Sequence, residues 1–202
     1  MPSDSDCEAV LTFWFGELDA RGLADPELER RWFQGGPAFD EAIRERFLSL
    51  HGEVSEGAAA SWLDSARGRL ALVVVLDQFS RNLFRGTPGM FAYDAQALDG
   101  ANQALDEGDD RQASFCERAF LYMPFMHSEK LADQERCVAL FEAFREQVDP
   151  PLRERVTNSL GFAERHRDIV RRFGRFPHRN AILERTSTEA EIEFLRQPGS
   201  SF

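Results

Sequence analysis

Polar side chains capable of anion binding and proton transfer are most concentrated near the C-terminal end of the sequence. The segment 173–180 reads FGRFPHRN and follows a long predicted helix. Its arginines, histidine and asparagine offer several hydrogen-bond donors on a short stretch of backbone, which suits a carboxylate or a phosphate. The same groups could instead bond the carbonyls at helix ends and hold the last helix in place. The residues concerned are Arg175, His178, Arg179 and Asn180.

This region also has an unusual local charge. Residues 150–185 contain nine arginines and four acidic residues, although the 202-residue chain has a formal net charge of −11. A strongly acidic chain lacks the electrostatic attraction that dominates nucleic-acid binding, and anionic membrane surfaces repel it. We therefore expect neither a nucleic-acid nor a membrane partner, but a small anionic ligand near the basic region.

A second group of polar residues interrupts the most apolar stretch of the sequence. Residues 68–84 read GRLALVVVLDQFSRNLF, and the apolar positions recur at helical spacing on nearly every face, which predicts a central helix over 67–84. Asp77 and Arg81 stand four residues apart and share a helix face, as do Gln78 and Asn82. Because an unpaired buried charge is very costly, Asp77 and Arg81 must form an internal salt bridge, reach a cavity or contact a ligand.

A third candidate is the tripeptide His127-Ser128-Glu129. It follows Pro124, which is expected to kink or end its helix. Ser128 then fits the N-cap of the next helix, with Glu129 near the positive end of that helix. His127 has no such explanation, so it is a structural donor, a general acid or base, or a metal ligand.

Helical signals recur along the whole chain, whereas the two-residue alternation of strands is weak throughout. The first helix is predicted to begin with a capping box at Ser5 and Glu8 and to end near Gly16. Asp25 and Pro26 predict an N-cap followed by a proline in the first helical position.

Short loops connect the other predicted helices. These helices cover residues 37–50, 67–84, 91–105, 114–126, 129–148, 150–173 and 188–196. Connections of this length favour antiparallel neighbours, so the sequence predicts an all-α fold of antiparallel helix pairs, an α-solenoid or an irregular bundle. No linker is apparent, and we expect a single domain over residues 1–202.

Several protein classes are disfavoured by what the sequence lacks. Its three cysteines are far apart, so neither a disulfide framework nor a cysteine-based zinc site is predicted. The N-terminal segment has no secretory signal, and no stretch approaches ~18 uncharged apolar residues, which favours a cytoplasmic location. Nucleotide-binding loops, the nucleophile elbow and the zinc-protease motif do not occur, so no cofactor is predicted.

Five sequence blocks together resemble a known bacterial family. They are FWFG at 13–16, LDQFSRN at 76–82, PFMHSE at 124–129, FGRFPHRN at 173–180 and RTST at 185–188. In this order, over nearly the whole chain, they are similar to the signature blocks of the family called domain of unknown function 924. The resemblance implies an all-helical fold of the tetratricopeptide-like α–α superhelix class, and it implies no established activity.

The sequence departs from this family pattern at three positions. Ser80 stands where proline is usual, and Glu184 stands where glycine is expected. Met126 occupies a position where an acidic residue is common, which weakens any mechanism that needs three carboxylates there.

The three groups of polar residues predict one shared pocket that binds a small anionic molecule, with or without acid–base catalysis. The ligand-binding residues of this interpretation are Gln78, Arg81, Asn82, Arg175, Arg179 and Asn180. The proton-transferring residues are His127, His178, Asp77 and Glu129.

Two other functions fit the same sequence. A superhelical array presents a concave groove, so the protein is alternatively a scaffold for a peptide or protein partner. The third possibility is a metal-dependent hydrolase in which His127, Glu129 and His178 hold the ion, although their spacing matches no chelating motif. Inward-facing histidines and arginines favour the pocket, whereas exposed aromatic residues along a groove favour the scaffold.

Overall fold

The computed structural model describes residues 1–201, and within this range every regular element is helical. The α-helices are α1 (Asp4–Phe15), α2 (Pro26–Gln34), α3 (Pro37–Ser55), α4 (Ala66–Val73), α5 (Ser80–Leu83), α6 (Asp94–Asp106), α7 (Phe115–His127), α8 (Leu131–Gln147), α9 (Pro150–Phe173) and α10 (Glu189–Leu195). The predicted all-α fold class is confirmed, whereas the tetratricopeptide-like superhelical arrangement stays a prediction. None of the helices in this range is long and apolar enough to cross a membrane.

Backbone contacts divide the chain into two compact units. The first contains Met1–Arg85 and Gly89–Pro124, and the second contains Gly86–Pro88 and the chain from Phe125 onward. The first unit therefore holds α1 to α6 and most of α7, and the second holds α8 to α10. That the whole chain forms a single domain stays a prediction.

The core of the first unit forms around the aromatic end of α1. Trp14 is fully buried, and its ring centroid lies 5.7 Å from that of Phe79 and 5.5 Å from that of Phe120. Apolar residues three and four positions apart direct these side chains to the inner face of each helix. Burying one phenylalanine in such a cluster stabilises the fold by about 1.5–3 kcal/mol.

The predicted central helix is present and continuous from α4 to α5, but its middle is not α-helical. Residues Val74–Phe79 form a π-helical segment, in which backbone bonds span five residues instead of four. Residues 68–80 are all buried, as the apolar run predicts. Because a π-turn shifts the helical phase, side chains before and after it do not keep the alignment of a regular α-helix.

The second unit is organised by α8 and α9, which pack against each other. The bounds of α9 agree with the prediction, since a proline suits its first turn and Gly174 adopts the left-handed φ of 70° that ends the helix. Near this end, the buried side chains of Ile169, Val170 and Phe176 form a small core. That core supports the FGRFPHRN segment.

Of three local predictions, one was wrong, one stays a prediction in part and one is confirmed. The capping box of α1 is formed by Ser3 and Asp6, two residues earlier than predicted. Helix α7 does not end at Pro124 but three residues later, at His127, so a kink at Pro124 stays a prediction. The predicted cap of α2 is present, since the Asp25 carboxylate accepts a hydrogen bond from the second helical amide at 2.7 Å.

Candidate functional site

The turn before α8 and the segment after α9, both predicted to carry site residues, meet within the second unit. One carboxylate oxygen of Glu129 accepts the amide hydrogen of Phe176 at 2.7 Å, and both oxygens accept from Arg185, at 2.7 and 2.9 Å. Arg185 also donates to the side-chain oxygen of Asn180 at 3.0 Å. Burial raises the pKa of Glu129, but these hydrogen bonds outweigh burial and keep the pKa below its usual value. Glu129 is therefore an ionised anchor for the C-terminal segment.

Arg175 is engaged by α10. Its guanidinium donates to both oxygens of Glu191, at 2.7 and 2.8 Å, and to the carbonyl of Thr186 at 2.9 Å. Glu191 is 2% exposed and also accepts the amide hydrogen of Thr188, which closes a capping box at the start of α10. The hydrogen bonds from Arg175 lower the pKa of Glu191 to about 2. Arg175 thus holds the last helix in place, which is one of the two alternatives that the sequence left open.

Arg179 joins the end of α7 to the C-terminal segment. It is 6% exposed, and its Nη2 donates to the carbonyl oxygen of His127 at 2.9 Å. Its guanidinium carbon lies 4.7 Å from the ring centroid of Phe176, a favourable cation–π position. The carbonyl at a helix end is thereby satisfied by an arginine, as the structural alternative predicts.

Histidines from three parts of the second unit collect near this arginine. His166 of α9 and His178 place their rings against Phe176, with centroid distances of 5.4 and 5.6 Å. Arg179 packs against the same ring and also bonds the carbonyl of His127. We call His127, His166, His178 and Arg179 the histidine cluster.

Two imidazoles of the histidine cluster are neutral near pH 7. Burial lowers the pKa of His166 to about 3 and that of His178 to about 4, and the positive charge of Arg179 adds to both effects. Nδ1 of His166 lies 2.8 Å from the carbonyl oxygen of Phe162. Because a carbonyl only accepts, we place the proton on Nδ1, so that Nε2 keeps the lone pair. The cluster therefore combines neutral imidazoles with a fixed cation.

Ser128 does not cap α8, contrary to the prediction. Lys130 occupies the N-cap position, and the Ser128 hydroxyl donates to Asp133 at 2.6 Å. The side-chain amide of the buried Gln134 donates instead to carbonyls of the preceding turn, at 2.6 Å for Met126 and 2.7 Å for Ser128. A residue inside α8 thus fixes the junction that carries His127.

The remaining predicted residues lie in the first unit. Asp77 has no exposed surface, and its carboxylate lies 3.1 Å from Nη1 of Arg81, as the four-residue spacing predicts. Nη2 of Arg81 lies 3.0 Å from a second carboxylate, that of Asp94 on α6. Gln78 donates to Asp77 at 2.5 Å and contacts the sulfur of Met123 at 3.3 Å. Two carboxylates around one arginine leave this group with a net charge of −1.

The ten predicted residues thus fall into two groups. The first unit holds Asp77, Gln78, Arg81 and the buried Asn82, and the second unit holds His127, Glu129, Arg175, His178, Arg179 and Asn180. Within the second unit the expected meeting of the turn and the segment is observed. A pocket shared by all ten residues stays a prediction.

Four partners of these residues were missed by the sequence analysis. They are Asp94, His166, Arg185 and Glu191, and three of them pair with side chains 13, 56 and 16 residues away. Arg185 is the first residue of the RTST block, and Glu191 follows Thr188 at the spacing of a capping box. The sequence therefore contained a pattern that could have identified these two residues. For Asp94 and His166 no local pattern pointed to a partner.

Within residues 1–201, no group of three histidine, cysteine, aspartate or glutamate side chains is arranged to hold a metal ion. The set proposed for the hydrolase alternative, His127, Glu129 and His178, is therefore not such a group. Both oxygens of Glu129 already accept hydrogen bonds from Arg185.

Comparison with known protein families assigns the chain to one of them. The family model DUF924, described as a bacterial protein of unknown function, matches residues 10–199. The chain belongs to the DUF924 family. The matched range of this DUF924 protein includes the whole histidine cluster and the Asp77–Arg81 pair.

One solved structure is similar to this DUF924 protein over nearly its full length. It is a protein of unknown function, ATU0120 from Agrobacterium tumefaciens, with 36% sequence identity and a TM-score of 0.80. The similarity covers 96% of this chain and 98% of the other. A search of curated proteins found no match.

Proposed function

We propose that this DUF924 protein binds a small anionic molecule at the histidine cluster and moves a proton to or from it. The observation that carries the proposal is the collection of Arg179, His166 and His178 around the buried ring of Phe176. Guanidinium and imidazole N–H groups both donate to oxyanions, and an arginine near the site supplies a fixed positive charge. His127 belongs to the same group through its carbonyl bond with Arg179.

The accessibility of the imidazoles supports this proposal. His127 and His178 are partly exposed, whereas His166 is 6% exposed, so an anion arriving from solvent meets the first two. An anion beside His178 stabilises the imidazolium form and raises its pKa from about 4 toward neutrality. General acid–base catalysis is most effective when the catalytic pKa lies near the working pH.

The other predicted residues take supporting parts in this proposal. Glu129 is a poor base because Arg185 occupies both of its oxygens. Asn180 donates to the hydroxyl of Ser187 at 2.9 Å, and its oxygen accepts from Arg185. These contacts position the backbone of the segment that carries His178.

Ligand-induced stabilisation tests the proposal. The protein is titrated with inorganic phosphate and with a panel of small carboxylates and phosphate esters while its Tm is measured. A ligand at ~100 times its Kd adds about 2.7 kcal/mol, which corresponds to a rise in Tm of about 5–10 °C for a chain of this size. Calorimetry in two buffers of different ionisation enthalpy then counts the protons taken up on binding.

Matched variants distinguish this site from general charge effects. His178→Asn and His127→Asn should reduce the anion-induced rise in Tm and the proton uptake, whereas Arg153→Ala should change neither. Arg153 is an exposed arginine of α9 outside the cluster. An unchanged response in both histidine variants contradicts the proposal. Failure of every anion, together with binding of peptides, favours the scaffold.

A further inference from the structure

A separate cleft of about 500 Å³ lies in the second unit, between the end of α9 and the start of α10. Its lining residues are Arg172, Phe173, Arg175, Thr188, Ala190 and Glu191. None of these residues belongs to the histidine cluster, and the proposed function does not use them.

The charge of the cleft comes from one arginine. Arg175 and Glu191 neutralise each other through two hydrogen bonds, and the second oxygen of Glu191 also accepts the amide hydrogen of Thr188. Arg172 is exposed and forms no ion pair with any of the residues 1–201. The lining therefore has a net charge of +1, which resides on Arg172.

Two aromatic rings pack beside this arginine. The guanidinium carbon of Arg172 lies 4.6 Å from the ring centroid of Phe173 and 5.8 Å from that of Phe194. The two rings are themselves 5.1 Å apart. A guanidinium in a cation–π contact uses none of its N–H donors for that contact, so they remain able to bind an oxyanion at two points.

We propose that this cleft binds an organic anion in which one carboxylate or phosphate group is attached to an apolar body. The edge of Arg172 bonds the oxyanion, and the hydroxyl of Thr188 provides a further polar contact. Phe173 and Ala190 supply the apolar wall. Glu191 repels an anion less than an unpaired carboxylate would, because Arg175 compensates its charge.

Amide chemical shifts in ¹H–¹⁵N spectra of the full chain test this inference. The probes are 3-phenylpropionate and phenyl phosphate, which distinguish a carboxylate from a phosphate source, and the controls are 3-phenylpropanol, phenethylammonium and inorganic phosphate. We expect at least one of the two probes to shift amides of residues 172–175 and 188–191, with weaker or no effects from the controls. Shifts confined to residues 127 and 176–180 would belong to the histidine cluster and would contradict this site.

Substitution of the arginine completes the test. Arg172→Met keeps a long apolar side chain over Phe173 but removes the charge, and it should weaken binding tenfold or more. Arg153→Met is the matched control, 19 residues earlier on the same helix and thus roughly 28 Å away. Its affinity should equal that of the wild type. Equal affinity in Arg172→Met, or equal binding of the uncharged alcohol, would overturn the inference.

Discussion

Glu129 and Arg185 form a two-point ion pair across 56 residues of chain, with N···O distances of 2.7 and 2.9 Å. The pair connects the turn before α8 to the segment that follows α9. Glu129 also accepts a hydrogen bond from the amide of Phe176, so one carboxylate fixes the backbone segment that carries His178 and Arg179.

Substitution of this carboxylate should destabilise the second unit. In Glu129→Gln the arginine loses its charged partner while the size of the side chain is kept, so we expect a loss of about 1–3 kcal/mol in the free energy of unfolding. Urea denaturation measures the loss. Glu135→Gln is the control, because Glu135 pairs with Arg171 where both side chains are about half exposed, and such pairs contribute about 0–1 kcal/mol. Equal losses in the two variants would show that the Glu129–Arg185 pair stabilises the fold no more than an exposed ion pair does.

The buried carboxylate of the central helix should be the most sensitive to substitution. Asp77 has no exposed surface and shares Arg81 with Asp94, whose side chain is 17% exposed. Removing one partner of a buried ion pair costs about 3–5 kcal/mol, so Asp77→Asn should lose more stability in urea than Asp94→Asn. The opposite order would mean that Asp94 is the principal partner of Arg81.

Three histidines should make the stability depend on pH. Burial lowers the pKa of His51 to about 4, and the pKa values of His166 and His178 are lowered to about 3 and 4 from 6.5. Well above pH 6.5 these histidines are neutral in both the folded and the unfolded state, so they do not change the free energy of unfolding. As the pH falls through 6.5, the unfolded chain binds protons that the folded chain does not bind, so the free energy of unfolding decreases.

Each histidine should add a slope of up to ~1.4 kcal/mol per pH unit between pH 6 and 5, or ~4 kcal/mol per unit for all three. Unfolding in urea at a series of pH values measures this slope, and His166→Asn should reduce it by about one third. A slope that does not change in this variant would show that His166 is protonated in the folded chain.

One glutamate occupies a backbone conformation that favours glycine. Glu184 has a φ of 53°, and among residues 1–201 no other non-glycine residue has a positive φ. Glu184→Gly should therefore stabilise the protein by about 0.5–1 kcal/mol, seen as a rise in Tm of about 1–4 °C. Glu184→Ala removes the same charge but keeps the Cβ, so it should give no such gain. If both variants behave alike, charge rather than backbone strain explains the effect.

The sequence predicted the features that depend on residues close together in the chain. The bounds of α9 follow from a proline at its start and Gly174 after its end, and the Asp77–Arg81 pair follows from a spacing of four. The departure at Glu184 also agrees with the structure, because the glycine expected there would suit the observed φ.

The partners of the candidate site residues were harder to predict because they come from distant segments. Nothing near Glu129 indicates that Arg185 will bind it, and nothing near Arg81 distinguishes Asp94 from other acidic residues. The identity of such a partner is decided by how helices pack, and packing depends on many side chains at once. For the same reason the sequence alone could not show whether Arg175 binds an anion or holds the last helix in place. In the structure Arg175 pairs with Glu191.

The π-helical segment Val74–Phe79 gives the central helix one place where its length can vary. A π-turn accommodates one residue more than the α-helical turn it replaces, and each α-helical residue rotates the chain by about 100°. Deleting a single residue within Val74–Phe79 would therefore allow a regular α-helix to form while the turns on either side keep their relative orientation, and Arg81 would still face Asp94. The same deletion in the α-helical turns of α4 would rotate the following side chains by about 100° relative to the preceding ones. Natural variation in the length of the central helix should consequently be confined to the π-helical segment.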